Sequence, residues 1–267
     1  MNIYLYELKD QRKSALIWLG SLTGLVAMFF AIYPSIASDA ADFKELMSHY
    51  PAVVREMLGI NLDYITSLLG YYSMIFSFIL LCAAIQAMNL GVSILSKENR
   101  ERTADFLLVK PVSRTAIVSA KLLSSFTSIV LIDAVYFLAT YVLADFVKTE
   151  NYSWRILFLM NLSMFFTQII FWAMGILISL FFQKIRNVLP ISLGFVFGFY
   201  MGGALLAVGK SEKILRFLSP FKYYDLSYIM KHSGYEIRYL ILGVFIVTVC
   251  IALSYILYNK KDIHAVS

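Results

Sequence analysis

Few residues in this 267-residue chain have the type and spacing to do chemistry, and they stand apart from one another. Asp133 is the one charge inside an apolar run over 122–144. A carboxylate in such a run is costly in a membrane, so it should face protein or water, or hold a proton. Facing a water-filled path, it could bind a cationic substrate or respond to voltage. Facing a neighbouring hydroxyl or amide, it would hold helices together. Gln86, Asn89, Asn161 and Gln168 lie in two other apolar runs. Buried amides there form interhelical hydrogen bonds or contact a substrate. His49 has no second metal ligand beside it, and Cys82 and Cys250 sit singly in apolar runs. That is neither a metal pattern nor a disulfide framework. Gly209-Lys210-Ser211 ends like a phosphate-binding loop, but Ala204 stands where the pattern needs glycine and no strand precedes it. No nucleophile–base pair is visible. The expectation is a non-enzyme that binds no cofactor, no metal and, lacking a basic stripe with interleaved aromatics, no nucleic acid.

The elements that carry these residues follow from composition. Hydrophobic residues make up 60% of the chain and charged residues 15%, against about a quarter charged in soluble domains. The runs 14–38, 64–96, 122–144, 156–183, 187–209 and 239–259 are free of Asp, Glu, Lys and Arg apart from Asp133. Each exceeds the roughly 18 residues that a membrane helix requires. Lipid offers backbone groups no water, so helices are predicted rather than irregular chain. The fold class is all-α, with six transmembrane helices at about 14–36, 66–95, 116–144, 156–182, 188–209 and 239–258, in a single transmembrane domain over 1–267. The first run is longer than the 7–15 apolar residues of a signal peptide, which predicts an uncleaved anchor. No connecting segment is long enough for a nucleotide-binding domain.

Six spans place both termini on one side. Segments on that side, 1–14, 96–115, 183–188 and 259–267, hold 12 Lys and Arg in 49 residues with 6 acids. The opposite segments, 35–65, 145–155 and 210–238, hold 10 in 71 residues with 10 acids. The positive-inside rule then puts both termini in the cytoplasm.

Between the spans, residues 2–13 start apolar and end charged. They predict a short interfacial helix with Lys9 and Arg12 at the lipid phosphates. Phe43, Leu46, Met47 and Tyr50 repeat at helical spacing, and the pattern resumes after Pro51, which predicts two short amphipathic helices. Gly194, Gly198 and Gly202 form a flat strip on the fifth span, for packing within the subunit or for a subunit interface and pathway. The segment 97–105 holds six charges, Glu98, Glu101 and Arg102 among them. Phe106 and Leu107 follow as an apolar knob, and Pro111 stops any helix. Between two spans, such a segment suits docking into a groove of a cytosolic partner.

Glu101-Arg102-Thr103, then Phe106-Leu107-Leu108 and Pro111-Val112-Ser113-Arg114, resembles the signature of membrane permeases of type-two ABC exporters. The likeness extends to the topology of the whole chain; Arg102 stands where many members have glycine. The resemblance implies two permease subunits around one path, a second copy or a related chain, above two ATP-hydrolysing subunits that hold ATP and Mg. It implies that 97–114 is a coupling helix. Glu98, Glu101, Arg102 and Thr103 would set its start, Phe106 and Leu107 would face the ATPase, Pro111 would end it, and Arg114 would anchor it at the phosphate level. The setting would be a prokaryotic cell membrane. The few charges within the spans suggest an amphipathic peptide or drug as cargo. A secondary transporter or channel should carry inverted repeats, and 1–133 shows no likeness to 134–267. A non-transporting scaffold would have no use for the 97–114 pattern.

Overall fold

A computed structural model describes residues 3–101, 112–182, 185, 187–206 and 216–260, and every regular element among them is helical. In chain order they are α1 (Ile3–Ser38), α2 (Ala40–Ser48), α3 (Ala52–Met57), α4 (Leu68–Glu101), α5 (Arg114–Val147), α6 (Trp154–Phe181), α7 (Val188–Leu206), a 3-10 turn (Pro220–Lys222), α8 (Leu226–His232) and α9 (Ile237–Lys260). α1, α4, α5, α6 and α9 are long and apolar enough to cross a membrane, and α7 is a shorter apolar helix.

The boundaries have local causes. Ser113 caps α5 by accepting from the Ala116 amide at 3.3 Å, and Asp225 caps α8 by accepting from that of Ser227 at 2.9 Å. Pro51 separates α2 from α3 as the sequence predicts. Within the predicted segment 2–13, the residues from Ile3 on differ from expectation. They form no separate interfacial helix but are the first turns of α1, which is 36 residues long. Nothing between Ile3 and Leu19 breaks a helix, and its inward face finds partners on α5.

α4 lies at the centre, packed most extensively on α6; α1 packs on α5, α9 on α6 and α7 on α4. Tyr71, Tyr72, Ile75, Phe76 and Ile79 of α4 are fully enclosed. Hydrogen bonds fix the directions. Gln11 pairs with Ser128 and Tyr33 with Thr149, at nearly constant offset, so α1 and α5 run parallel. Tyr72 pairs with Tyr136 while Lys121 reaches the Ile94 carbonyl, so α5 runs antiparallel to α4. One end of the bundle therefore gathers the starts of α1 and α5 and the end of α4. The end of α9 joins them through Ser119–Tyr255 (2.8 Å) and Arg114 to the Asn259 carbonyl (3.4 Å). The residues nearest both termini lie at that same end.

The opposite end is closed by aromatic rings. Phe166, Tyr224 and Tyr235 form a triangle with centroids 5.4–5.8 Å apart. Arg216 pairs with Glu236 at 2.6 Å and lies over the Tyr239 ring at 4.2 Å. Burial pushes the Tyr223 hydroxyl up to about 12, so it stays neutral and donates to the Phe217 carbonyl at 2.7 Å. α2 lies on this end, with Phe43 edge-on to Tyr71 and Met47 packed with Ile60 and Ile65.

Candidate functional site

Lipid tails are as apolar as leucine, so helices in a membrane associate through close packing and interhelical hydrogen bonds. The interior of α4, α5 and α6 supplies both, in levels along the bundle. At the first level, the Tyr72 hydroxyl lies 3.0 Å from that of Tyr136 and donates to Asn161 Oδ1 at 3.0 Å. All three helices are joined at one point. At the second, Gln168 sits between Asp133 and Gln86. With its nitrogen turned to the carboxyl group it lies 2.6 and 2.8 Å from the Asp133 oxygens, and its other amide atom is 3.3 Å from Gln86 Oε1. An ionised carboxyl takes the amide nitrogen, and a protonated one donates to the amide oxygen. Either way, half-buried Asp133 has a partner from α6. At the third, the Trp172 indole donates to Ser125 at 3.0 Å.

The sequence thus singled out Asp133, Gln86, Gln168 and Asn161 among residues that the fold brings together. Asn89 is half-buried and belongs to neither chain of hydrogen bonds. Tyr72 and Tyr136, which complete the first level, were not singled out. Tyrosine is so frequent here, at 18 residues, that no single one stands out.

Just below the third level, the backbones of α4 and α6 touch. A Cβ added at Gly91 would lie 2.3 Å from the Trp172 carbonyl oxygen, and one at Gly175 would lie 2.7 Å from that of Met88. The strip on α7 is the reverse case. A Cβ at Gly194, Gly198 or Gly202 would meet nothing within 4 Å among the described residues. Packing of that strip within the subunit is therefore not found. Its flanks, Phe195, Phe197 and Met201, are also exposed, while Ser192 and Val196 turn inward toward α4. Pro190 falls in the first turn of α7, where a helix has no amide to lose.

Of the residues assigned to coupling, Arg102, Thr103, Phe106, Leu107 and Pro111 lie outside the described residues, as do the side chains of Glu98 and Glu101 in the last turns of α4. Arg114 opens α5, and its guanidinium donates to the last turn of α9. There a cation meets free helix carbonyls.

The same end holds what the sequence reading missed. Lys121 is fully buried and Glu7 nearly so, and their side chains meet at 2.8 Å. Lys121 also donates to the Ile94 carbonyl at 3.0 Å. One turn along α1, Asp10 pairs with Lys97 of α4 at 2.6 Å. Gln11 faces Ser124 and Ser128, and Tyr4 donates to Thr127. Lys121 stands one residue before the apolar run 122–144, a place where a lysine at the polar edge of a span is ordinary. Its partner 114 positions away leaves no local signal.

Among the described residues, no group of three or more His, Cys, Asp or Glu is placed to hold a metal. Five spanning-length helices and a further apolar one, joined by internal polar bonds, define an all-helical multi-pass membrane protein. A family model described as ABC-2 family transporter protein matches residues 1–263. The chain belongs to that family, and so to the permeases of ABC transporters. No curated protein matches it.

Proposed function

We propose that this chain is the membrane permease of an ABC exporter, working as a pair with a second copy or a related permease above two separate ATP-hydrolysing subunits. The match of the family model to residues 1–263 carries the reading. The excess of Lys and Arg on the segments joined to the termini supports six spans with cytoplasmic ends in the cell membrane. The link from Glu101 to Arg114, with its charged start and the knob Phe106-Leu107, would meet the ATPase. ATP and Mg2+ would be held by that partner, and the force would arrive through the link. The open α7 strip supports a subunit interface beside the path, because a glycine face lets a second backbone approach. The cargo is an amphipathic peptide or drug, since the spans offer few charges to a strongly ionic one.

The test is to co-express the chain with candidate ABC ATPase subunits of its own organism, purify the complex, and measure ATP turnover and export of a fluorescent amphipathic drug from vesicles. Replacing Phe106 and Leu107 by Asp should abolish association while leaving membrane insertion intact. Burying two such side chains in a groove is worth about 1.5–3 kcal/mol each, and charges would forfeit that. A double Asp variant that still binds and still exports would overturn the coupling role of this link.

A further inference from the structure

We propose that the ion pairs Glu7–Lys121 and Asp10–Lys97 are a positioning clamp, through which the link between α4 and α5 moves α1 together with those two helices. The inference rests on the coupling reading above.

The argument begins with where the pairs fall. The link leaves α4 at Glu101 and enters α5 at Arg114. Lys97 lies one turn before the departure and Lys121 two turns after the entry. Both reach the same stretch of α1, at Asp10 and Glu7. Lys121 adds a bond to the α4 backbone at Ile94, so one ammonium group holds three helices. A push on the link is thereby shared with α1, a helix it does not touch in sequence.

The second step is energetic. A buried ion pair is weak evidence of stabilisation, because desolvation offsets the attraction, and apolar side chains of similar size often serve as well. What the pair supplies is direction and register: charge-assisted bonds tolerate little sliding. Nearby, the bonds of Gln11 to Ser124 and Ser128 are neutral and join α1 to α5, while Lys97 also lies over the Tyr6 ring at 5.6 Å and so holds α4 on α1 a second way.

The test uses the full chain with its ATPase in lipid vesicles, reading complex yield, thermal stability, ATP turnover and drug export. Glu7→Leu with Lys121→Met replaces the buried pair by apolar groups. Its yield and stability should match wild type, while export per ATP falls about tenfold, within the range for residues on a coupling route. Asp10→Asn removes the more exposed pair without threatening the fold, and export per ATP should fall about two- to threefold on the same grounds. Normal export per ATP in Asp10→Asn, or in an assembled double variant, overturns the clamp. So does an Asp10→Asn variant whose loss is wholly explained by reduced yield. A wild-type chain that neither binds nor stimulates an ATPase fails earlier, at the proposed function, and takes the clamp with it.

Discussion

Two sets of glycines in this molecule look alike in composition and differ in what surrounds them. Gly91 stands more than five turns from Gly70, the other glycine of α4, and Gly175 is single in α6, yet each presses its Cα against the other helix's backbone. Gly194, Gly198 and Gly202 form a regular strip, yet nothing in the described chain covers them. Spacing reveals a smooth face; it does not reveal whether a partner sits on it. Gly91 and Gly175 serve the subunit's own fold. The regular strip is spare surface, and in a membrane such a face gains most from another helix that can approach as closely.

The largest effect should come from Gly91→Leu. Its Cβ would fall 2.3 Å from a carbonyl oxygen of α6, and backbone cannot rotate away as a side chain can. Overpacking of a core commonly costs about 1–3 kcal/mol, and a clash with a fixed helix belongs at or above the top of that range. The variant should give no monodisperse peak in detergent. A protein as heat-stable as wild type would mean that α4 and α6 can separate freely, and the contrast between the two glycine sets would collapse.

Gly198→Leu should act elsewhere. With no atom of the described residues within 4 Å of its Cβ, the new side chain should leave the subunit's fold and melting unchanged. Association of two subunits in vesicles, read by energy transfer between labelled copies, should weaken by roughly 1–3 kcal/mol through overpacking at the contact. Unchanged association would remove α7 from the interface.

How much of this was legible follows from the physics of the solvent. Lipid forces backbone bonds inside each segment, so apolar runs alone located the spanning helices to within a few residues at most ends. α1 is the exception: its first turns read as a surface helix because Glu7, Lys9, Asp10 and Arg12 are charged. The fold instead neutralises Glu7 and Asp10 on lysines more than 80 positions away. Asp133 was legible because a lone charge in a span is conspicuous, but its partner Gln168 was one of several candidate amides. The closeness of Gly91 to Trp172 depends on how two helices meet, and no pattern within either helix encodes it.

The hydrogen-bonded levels between α4, α5 and α6 sharpen the comparison at smaller scale. Tyr72→Phe removes the hydroxyl that bonds both Tyr136 and Asn161, in a fully buried site. Interhelical bonds in membrane proteins average about 0.6 kcal/mol and reach roughly 1.7. A loss in the upper half of that span is expected in an unfolding titration, because two partners are left in need. A loss under a few tenths would mean that Tyr136 and Asn161 satisfy each other, and that close backbone packing alone holds this level.

The smallest effect provides the control that decides what an open strip means. Gly20 and Gly24 of α1 share the four-residue spacing of the α7 strip, and a Cβ at either would also meet nothing within 4 Å. The row they belong to differs. Along α1 it continues into exposed Leu16 and Met28, bulky side chains that hold a second backbone away. Along α7 three glycines, Gly194, Gly198 and Gly202, follow one another after Pro190 before the row meets a bulky residue at Leu206. Gly24→Ala should therefore leave subunit association at wild-type strength. It should raise stability by no more than about 1 kcal/mol, the helix preference of alanine over glycine in water. The same vesicle energy-transfer measurement reads both strips. If Gly24→Ala weakens association as much as Gly198→Leu does, openness and spacing alone do not identify the interface, and the bulk of the neighbours along the row carries no information.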